Sequence, residues 1–521
     1  MKSLRVRNLR SLKDSGEIEM RPLTFLLGEN SSGKSTFLRL MPLLKQSIEA
    51  KTKGPLLWFG RYVDFGSYRE ALSKFSEDDT IQMEFVLPLL NDFKLYSSPS
   101  RTKVSRFDAR IGLLIEESTE SAASFTKVCT ISMYDVTVKI TLDENQKVVG
   151  YECNKHDFSR AASRVFSVGQ RMGQASSIIP VLHDSTRGSR RFSTYELQTN
   201  SLIAPLYSFL KNLLHRDVSQ ENLSRIVNNI VLGDADTMLA SIKSSNTSLT
   251  RWTQRVARWS VTTPAFITLR DFYLAWVTPQ VLYSADLYLY NYIQNIKYVA
   301  PLRATAERYY RFQDLAVDEL DFQGRNLALI LQNMSKSEAL NFEEWTLENF
   351  GFAVRVRPSG GHSAIMIKEA GSPHEVSLAD MGFGFSQVIP ILAQLWLASS
   401  PNPALRFSLR RAIPVTFAIE QPELHLHPRM QARLADILYK TVQLAQKNDV
   451  NLLLLVETHS ETIINRLGLR IAGGELSSDD VSVIVFEKPY PDAPAISRMA
   501  TYEENGLLKD WPLGFFEPEV V

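Results

Sequence analysis

The stretch PLTFLLGENSSGKST, residues 22–36, decides the fold class. Residues 23–27 form a compact apolar run that ends in turn residues, as a buried strand does. From Gly33 onward, GKSTFLRLMPLLKQSI carries its apolar residues at helical spacing. Between the two lies the pattern GxxxxGK[ST], in the strand, loop and helix context that gives it meaning. Glycines let the backbone curl so that N–H groups point at phosphate oxygens. Lys34 is placed to reach the β- and γ-phosphates of a nucleotide, and Ser35 to ligate Mg²⁺. The helix N-terminus adds a favourable dipole for an anion. Asn30, Ser31, Gly33, Lys34, Ser35 and Thr36 are therefore the candidate residues for binding ATP.

Composition sets the surroundings. A chain of 521 residues is too long for one ordinary core, so two or more lobes are expected. Apolar residues at 44% and charged residues at 22% give the balance of a globular protein. A net charge of +1 provides no bulk field for nucleic acid or membrane, so any such binding needs a local patch. The two cysteines, Cys129 and Cys153, lack metal-type spacing and fit a reducing, cytoplasmic setting. The longest apolar stretches, near 389–398 and 452–456, fall far short of the roughly 20 residues that span a bilayer, so no membrane span is expected. The opening MKSLRVRNLRSL lacks the apolar run of a signal peptide.

Along the chain, SLRVRNL (3–9) alternates like a half-buried strand. TIQMEFVLPLL (80–90) and VTVKITLDENQKVVGYEC (136–153) read as antiparallel strands, the latter turning near 143–145. Residues 155–191 carry seven Lys/Arg against two Asp, a basic loop or contact surface. Arg160, Arg164, Arg171, Arg187, Arg190 and Arg191 are its candidates for DNA or RNA phosphate contact. Residues 195–300 look helical and aromatic-rich. The C-terminal third alternates strands at 362–369, 412–420, 451–460 and 481–488 with helices at 386–399 and 428–446. That alternation implies a largely parallel sheet covered on both faces. The expected organisation is an α/β ATPase head built from both chain ends, residues 1–154 and 298–521. Residues 155–297 are expected as an inserted basic loop and mainly helical lobe.

A nucleotide hydrolase also needs an acid at the end of a neighbouring buried strand to hold Mg²⁺ or its waters. Glu420, closing AIPVTFAIE, fits, because a buried carboxylate there is costly unless paired or facing a metal. His459 in VETHSE ends the next buried strand, on the sheet edge where ligands gather, and is placed to meet the γ-phosphate. His425 and His427 lie two apart, but with Mg²⁺-ATP nearby no second metal is needed.

Together, GENSSGKST, LADMGFGFSQVIPIL, IEQPELHLHP and VETHSE resemble the ABC-type ATPases of the SMC, Rad50, RecF and OLD kind. The resemblance is strongest to prokaryotic AAA ATPases with a PLR segment, here in YVAPLR (298–303), and a terminal WPxGFF block, here at 511–516. It covers about residues 1–90 and 298–516, and does not reach 155–295. Such ATPases recur in Septu-like and retron-associated anti-phage systems beside a separate nuclease or toxin. The resemblance implies a homodimer, or a higher oligomer of dimers, with ATP sandwiched between two heads. One head supplies the phosphate loop and the other a signature segment, here DMGFGFSQ (380–387). That segment departs from the LSGGQ-like form but keeps Gly384, Ser386 and Gln387 ahead of a helix. Gly382 and Gly384 free backbone N–H groups, and Ser386 is expected to cap the helix and donate to the partner's ATP. OLD-type proteins add a nuclease domain, yet the 62 residues after His459 show no βα-rich core with paired aspartates. A nuclease or toxin effector is therefore expected on another polypeptide.

In the related pattern the strand ends in two acids, one for Mg²⁺ and one for the attacking water. Glu420 aligns with the first and Gln421 with the second. An amide cannot accept a proton as a carboxylate does, and losing general-base help costs about 10²–10⁴-fold. If the chain stays extended through Pro422, positions 421 and 423 project to one side, and Glu423 takes over the water. His459 is a second candidate to orient it. Glu420, Gln421, Glu423 and His459 are thus the catalytic candidates, and slow hydrolysis is the expectation. The competing readings are a DNA-repair ATPase of the RecF or Rad50 manner and a non-hydrolysing ATP-sensing scaffold.

Overall fold

The computed structural model describes residues 1–90, 106–169, 176–184, 202–215, 217–245, 249–311, 319–399, 413–490 and 492–511. Arg171, Arg187, Arg190, Arg191 and the block after Trp511 lie outside these residues.

Among the described residues, seven strands form the central sheet. Their order is Ile296–Val299, Val415–Glu420, Leu452–Glu457, Leu23–Gly28, Val481–Glu487, Ile496–Tyr502 and Leu508–Lys509. The first five run parallel; Ile496–Tyr502 pairs antiparallel with Val481–Glu487, and Leu508–Lys509 antiparallel with Ile496–Tyr502. The only N-terminal strand among them, Leu23–Gly28, lies between two strands from the far end of the sequence. Its residues alternate between two cores: Leu26 joins one, while Leu23, Phe25 and Leu27 join the other. Successive side chains on a strand face opposite ways, so burial on both faces writes an unbroken apolar run.

The first core lies between this sheet and a nine-stranded antiparallel sheet that begins with Ser3–Leu9 and includes Ile81–Leu90 and Arg106–Glu117. Ile81–Leu90 alternates buried and half-buried residues throughout, one face on the core. Val136–Leu142 pairs with Val148–Cys153 across the turn read from the sequence. The second core packs the helices Phe383–Ser399, Pro428–Lys447 and Glu461–Ala472, with the hairpin Phe352–Ser359 and His362–Glu369, on the other face.

The segment expected as an inserted lobe is less separate than its composition suggests. His156–Asp157 extends the nine-stranded sheet past residue 154. The helix Pro264–Gln294 packs on Leu40–Glu49 and on strands of that sheet. Buried residues of the helices between 203 and 257 belong to the same core. The physical reason is Pro264–Gln294 itself, which is apolar around much of its circumference and so needs neighbours on several sides. Among the described residues no helix is long and apolar enough to cross a membrane.

Candidate nucleotide site

The strand Leu23–Gly28 delivers the loop. At Gly28 φ is +149°, and a Cβ there would stand 2.2 Å from the Phe486 carbonyl oxygen, so only glycine fits. Ser31 and Gly33 also have positive φ, 62° and 103°, which curls the loop before the helix Lys34–Leu38. Asn30 and Ser31 are exposed, and Thr36 is half-buried in the helix. Lys34 is buried, and its Nζ donates to the carbonyl of Gly28 at 2.8 Å and to that of Glu29. Burial lowers its pKa, against the raising charges of Glu457, Glu29 and Glu423.

Two carboxylates close adjacent parallel strands at the same level, Glu420 opposite Glu457. They are 2% and 1% exposed. Glu420 is saturated: Arg39 donates to both of its oxygens at 2.8 Å, and the Tyr298 hydroxyl donates at 2.7 Å. Glu457 accepts from the Ser35 hydroxyl at 2.6 Å on one oxygen, while the other has no hydrogen-bond partner. Burial pushes the Glu457 carboxyl up to about 7, with the Ser35 hydrogen bond acting the other way. Ser35 thus meets Glu457, whose strand lies directly beside the phosphate-loop strand; the strand of Glu420 lies one further away.

The chain does not stay extended after Glu420. Gln421 has φ +42°, its N–H donates to the Glu457 carbonyl, and its own carbonyl accepts from Leu424. The same-side argument for residues 421 and 423 therefore fails, because it assumed a strand. The turn nevertheless carries Glu423 into the site. Its Oε1 accepts from the His459 N–H at 2.7 Å, and its Oε2 is buried without a partner. Burial raises its pKa, against hydrogen bonding from the backbone N–H groups of His459 and Glu423 and from the Thr458 side chain, and the charge of Arg303. Burial and the charge of Lys34 lower that of His459, favouring neutral imidazole. His425 is exposed with its ring against Phe383, and His427 caps the helix Pro428–Lys447 through the Arg429 N–H.

The helix expected to follow Ser386 begins earlier, at Phe383. Ser386 therefore lies inside its first turns, buried, and is not its N-cap. Gln387 is wholly buried and grips Arg303 of its own chain: it accepts from the Arg303 N–H at 3.1 Å and donates to the Arg303 carbonyl at 3.2 Å. Gly384 faces the turn, where a Cβ would stand 2.7 Å from the His425 carbonyl oxygen.

Sequence reasoning passed over Glu457 and Arg39, and quoted Tyr298 and Arg303 in YVAPLR without giving them a place in the site. Glu457 carried the same signal as Glu420, an acid closing a buried strand, but His459 drew the attention within VETHSE. Arg39 sits four residues after Ser35, one helical turn on, and that spacing was the available clue.

Solved structures similar to this chain include an SMC head bound to the C-terminal winged-helix domain of ScpA, at 10% identity and TM-score 0.34, covering 96% of this chain and 98% of that one. Another is an SMC head with an extended coiled coil bound to the C-terminal domain of ScpA, from Pyrococcus furiosus, at 10% identity and TM-score 0.34, with 96% of each chain covered. A third is the SMC head domain from Thermotoga maritima, at 10% identity and TM-score 0.31, covering 96% of this chain and 98% of that one. These overlaps are too loose to carry residue correspondences. No curated protein matches the chain. The AAA ATPase domain family matches residues 1–174 and 280–464, more than half of the sequence and both flanks of the helical segment. Both ends of the chain thus build one ATPase domain, and the protein belongs to the AAA ATPase domain family.

Proposed function

We propose that the protein is a slow Mg²⁺-dependent ATPase that pairs two heads around ATP and uses the ATP-bound pair to control a separate effector, a nuclease or toxin, in anti-phage defence. What supports slow turnover is the turn after Glu420, which offers an amide at Gln421 and a single carboxylate, Glu423, with an unpartnered oxygen. Lys34 exchanges its two carbonyl partners for phosphate oxygens on binding. Glu423 takes the proton as water attacks the γ-phosphorus; the bond to the ADP oxygen breaks, leaving ADP and phosphate. A raised pKa makes Glu423 a stronger base once ionised. His459, neutral and on the rim, orients the water.

The residues present fit Mg²⁺. Ser35 offers a hydroxyl and Glu457 an unpartnered buried oxygen beside it. Among the described residues no cluster of three or more acidic, His or Cys side chains forms a full cage. That suits an ion that takes one or two protein ligands and fills the rest with phosphate oxygens and water. Bound there, it would neutralise the charge of the β- and γ-phosphates.

Single-turnover cleavage tests the reading. Glu423→Gln is expected to slow it by about 10²–10⁴-fold, and Gln421→Glu to speed it. A fast wild type indifferent to Glu423→Gln sinks it. Co-purification with the product of a neighbouring gene tests effector control.

A second reading, a DNA-handling ATPase of the RecF or Rad50 manner, draws on a groove of about 640 Å³. Arg160, Arg164, His156, Phe158 and Phe272 line it. Binding to duplex DNA that falls steeply with salt favours this reading. No binding by the dimer removes it.

A further inference from the structure

Arg303 is 4% exposed and follows closely on the edge strand Ile296–Val299. Its Nη2 donates to the Glu420 carbonyl at 3.0 Å, while Nε and Nη1 have no hydrogen-bond partner. Glu423, buried nearby, has an idle acceptor in Oε2. The charges of Glu423 and Glu420 both act on Arg303. A guanidinium with two idle donors beside a carboxylate with an idle acceptor is a network left half made. Each such buried group destabilises the fold while unsatisfied, and a native structure that keeps several calls for a reason.

The reason lies in what holds Arg303. Gln387 clamps its backbone on both sides, N–H and carbonyl, from the helix Phe383–Ser399. The same helix touches the turn after Glu420 at a second point, where Phe383 packs against His425 and Gly384 lies under the His425 carbonyl. A tilt of this helix about its contact with that turn, rather than a shift carrying both, moves Arg303 relative to Glu423.

We propose that Arg303 is a positioning residue for Glu423, set by the helix Phe383–Ser399 through Gln387. In the arrangement described, Arg303 leans on the Glu420 carbonyl. When the helix tilts, the idle Nε and Nη1 donors swing onto Glu423 Oε2, holding the carboxylate ionised and aimed at the water. The segment that opens this helix is the one proposed to meet a second head, so pairing of heads and readiness for cleavage become one event. The inference rests on the reading of Glu423 as the base. The charged groups acting on Glu423 are Arg303 and, from the phosphate-loop helix, Lys34; the His459 backbone N–H, Glu423's own backbone N–H and the Thr458 side chain also act on it.

The test compares Arg303→Ala, Arg303→Lys and Gln387→Met in the full chain, with Glu423→Gln as reference. Nucleotide affinity is read with a fluorescent ATP analogue, and cleavage at saturating ATP across pH. Arg303→Ala is expected to leave affinity within about threefold, to slow cleavage by about tenfold or more, and to move the acid limb of the rate profile to higher pH. Arg303→Lys restores part of the rate and of the limb. Gln387→Met keeps the side-chain volume and is the second arm should Arg303→Ala fold poorly; it gives the same split of rate from affinity. An unmoved limb, with rates falling only in proportion to the folded fraction, overturns the proposal. If Glu423→Gln itself leaves cleavage intact, the base reading fails first; if it abolishes cleavage while the Arg303 and Gln387 variants cleave normally, this inference alone fails.

Discussion

Glu420 and Glu457 close neighbouring strands at one level and are almost equally buried, yet their surroundings ask opposite things of them. Glu420 has a counter-charge and three donors, the description of a strut tying the first helix to the sheet. Arg39→Ala leaves that carboxylate buried without its counter-charge, with the Tyr298 hydroxyl as its remaining donor. It is expected to cost about 3 kcal/mol in chemical denaturation, the low end for a broken buried pair because Arg39 is partly exposed. The loss should shrink sharply in a Glu420→Gln background, as a double-mutant cycle will show. Glu457 has an idle oxygen beside Ser35, which fits the metal-holding role proposed for it. Glu457→Gln is therefore expected to weaken Mn²⁺ binding in the presence of ADP more than Glu420→Gln does, read by Mn²⁺ paramagnetic resonance. The sequence pattern made Glu420 legible because it follows a buried strand in a recognisable motif. It could not show that Arg39 pairs with it, since helix and strand meet only across 381 residues of chain.

Between elements, the clearest fastening joins the helices Pro428–Lys447 and Glu461–Ala472. Asp436 accepts from Arg466 at 3.0 and 2.7 Å and from Arg470 at 2.7 and 2.9 Å. Burial pushes its carboxyl up, but the two guanidinium groups more than offset that and hold it below the usual value of 3.8. An aspartate with a depressed folded pKa contributes stability that is present above the unfolded value and lost as pH falls through the folded one. Asp436→Asn is accordingly expected to lose about 1–3 kcal/mol at neutral pH. The gap from wild type should narrow in thermal melts as the pH drops below about 4. Both helices carry an apolar stripe of 3.6-residue period, and the first was legible from it. The start of Phe383–Ser399 was not. Gly382 and Gly384 argued for a turn, yet the glycine at 384 serves close packing on His425 within the helix.

At the scale of the whole molecule, the central sheet interleaves the two ends of the chain. That both ends build one head was legible from the order of the motifs. That the helical segment between them shares the first core was not, because composition reports apolar content and not where it is spent. The phosphate-loop strand hydrogen-bonds on both sides to strands from beyond residue 451. Residues 1–297 produced alone are therefore expected to leave that strand with two raw edges, to aggregate, and to bind no ATP analogue; co-expression with 298–521 is expected to restore binding. Seen on the ribosome, the same interleaving imposes a schedule. The phosphate loop is made well before its last flanking strand, Val481–Glu487, and the pairing joins segments far apart in sequence. Such long-range pairing forms late. A chain arrested before that strand is made is consequently expected to bind no nucleotide.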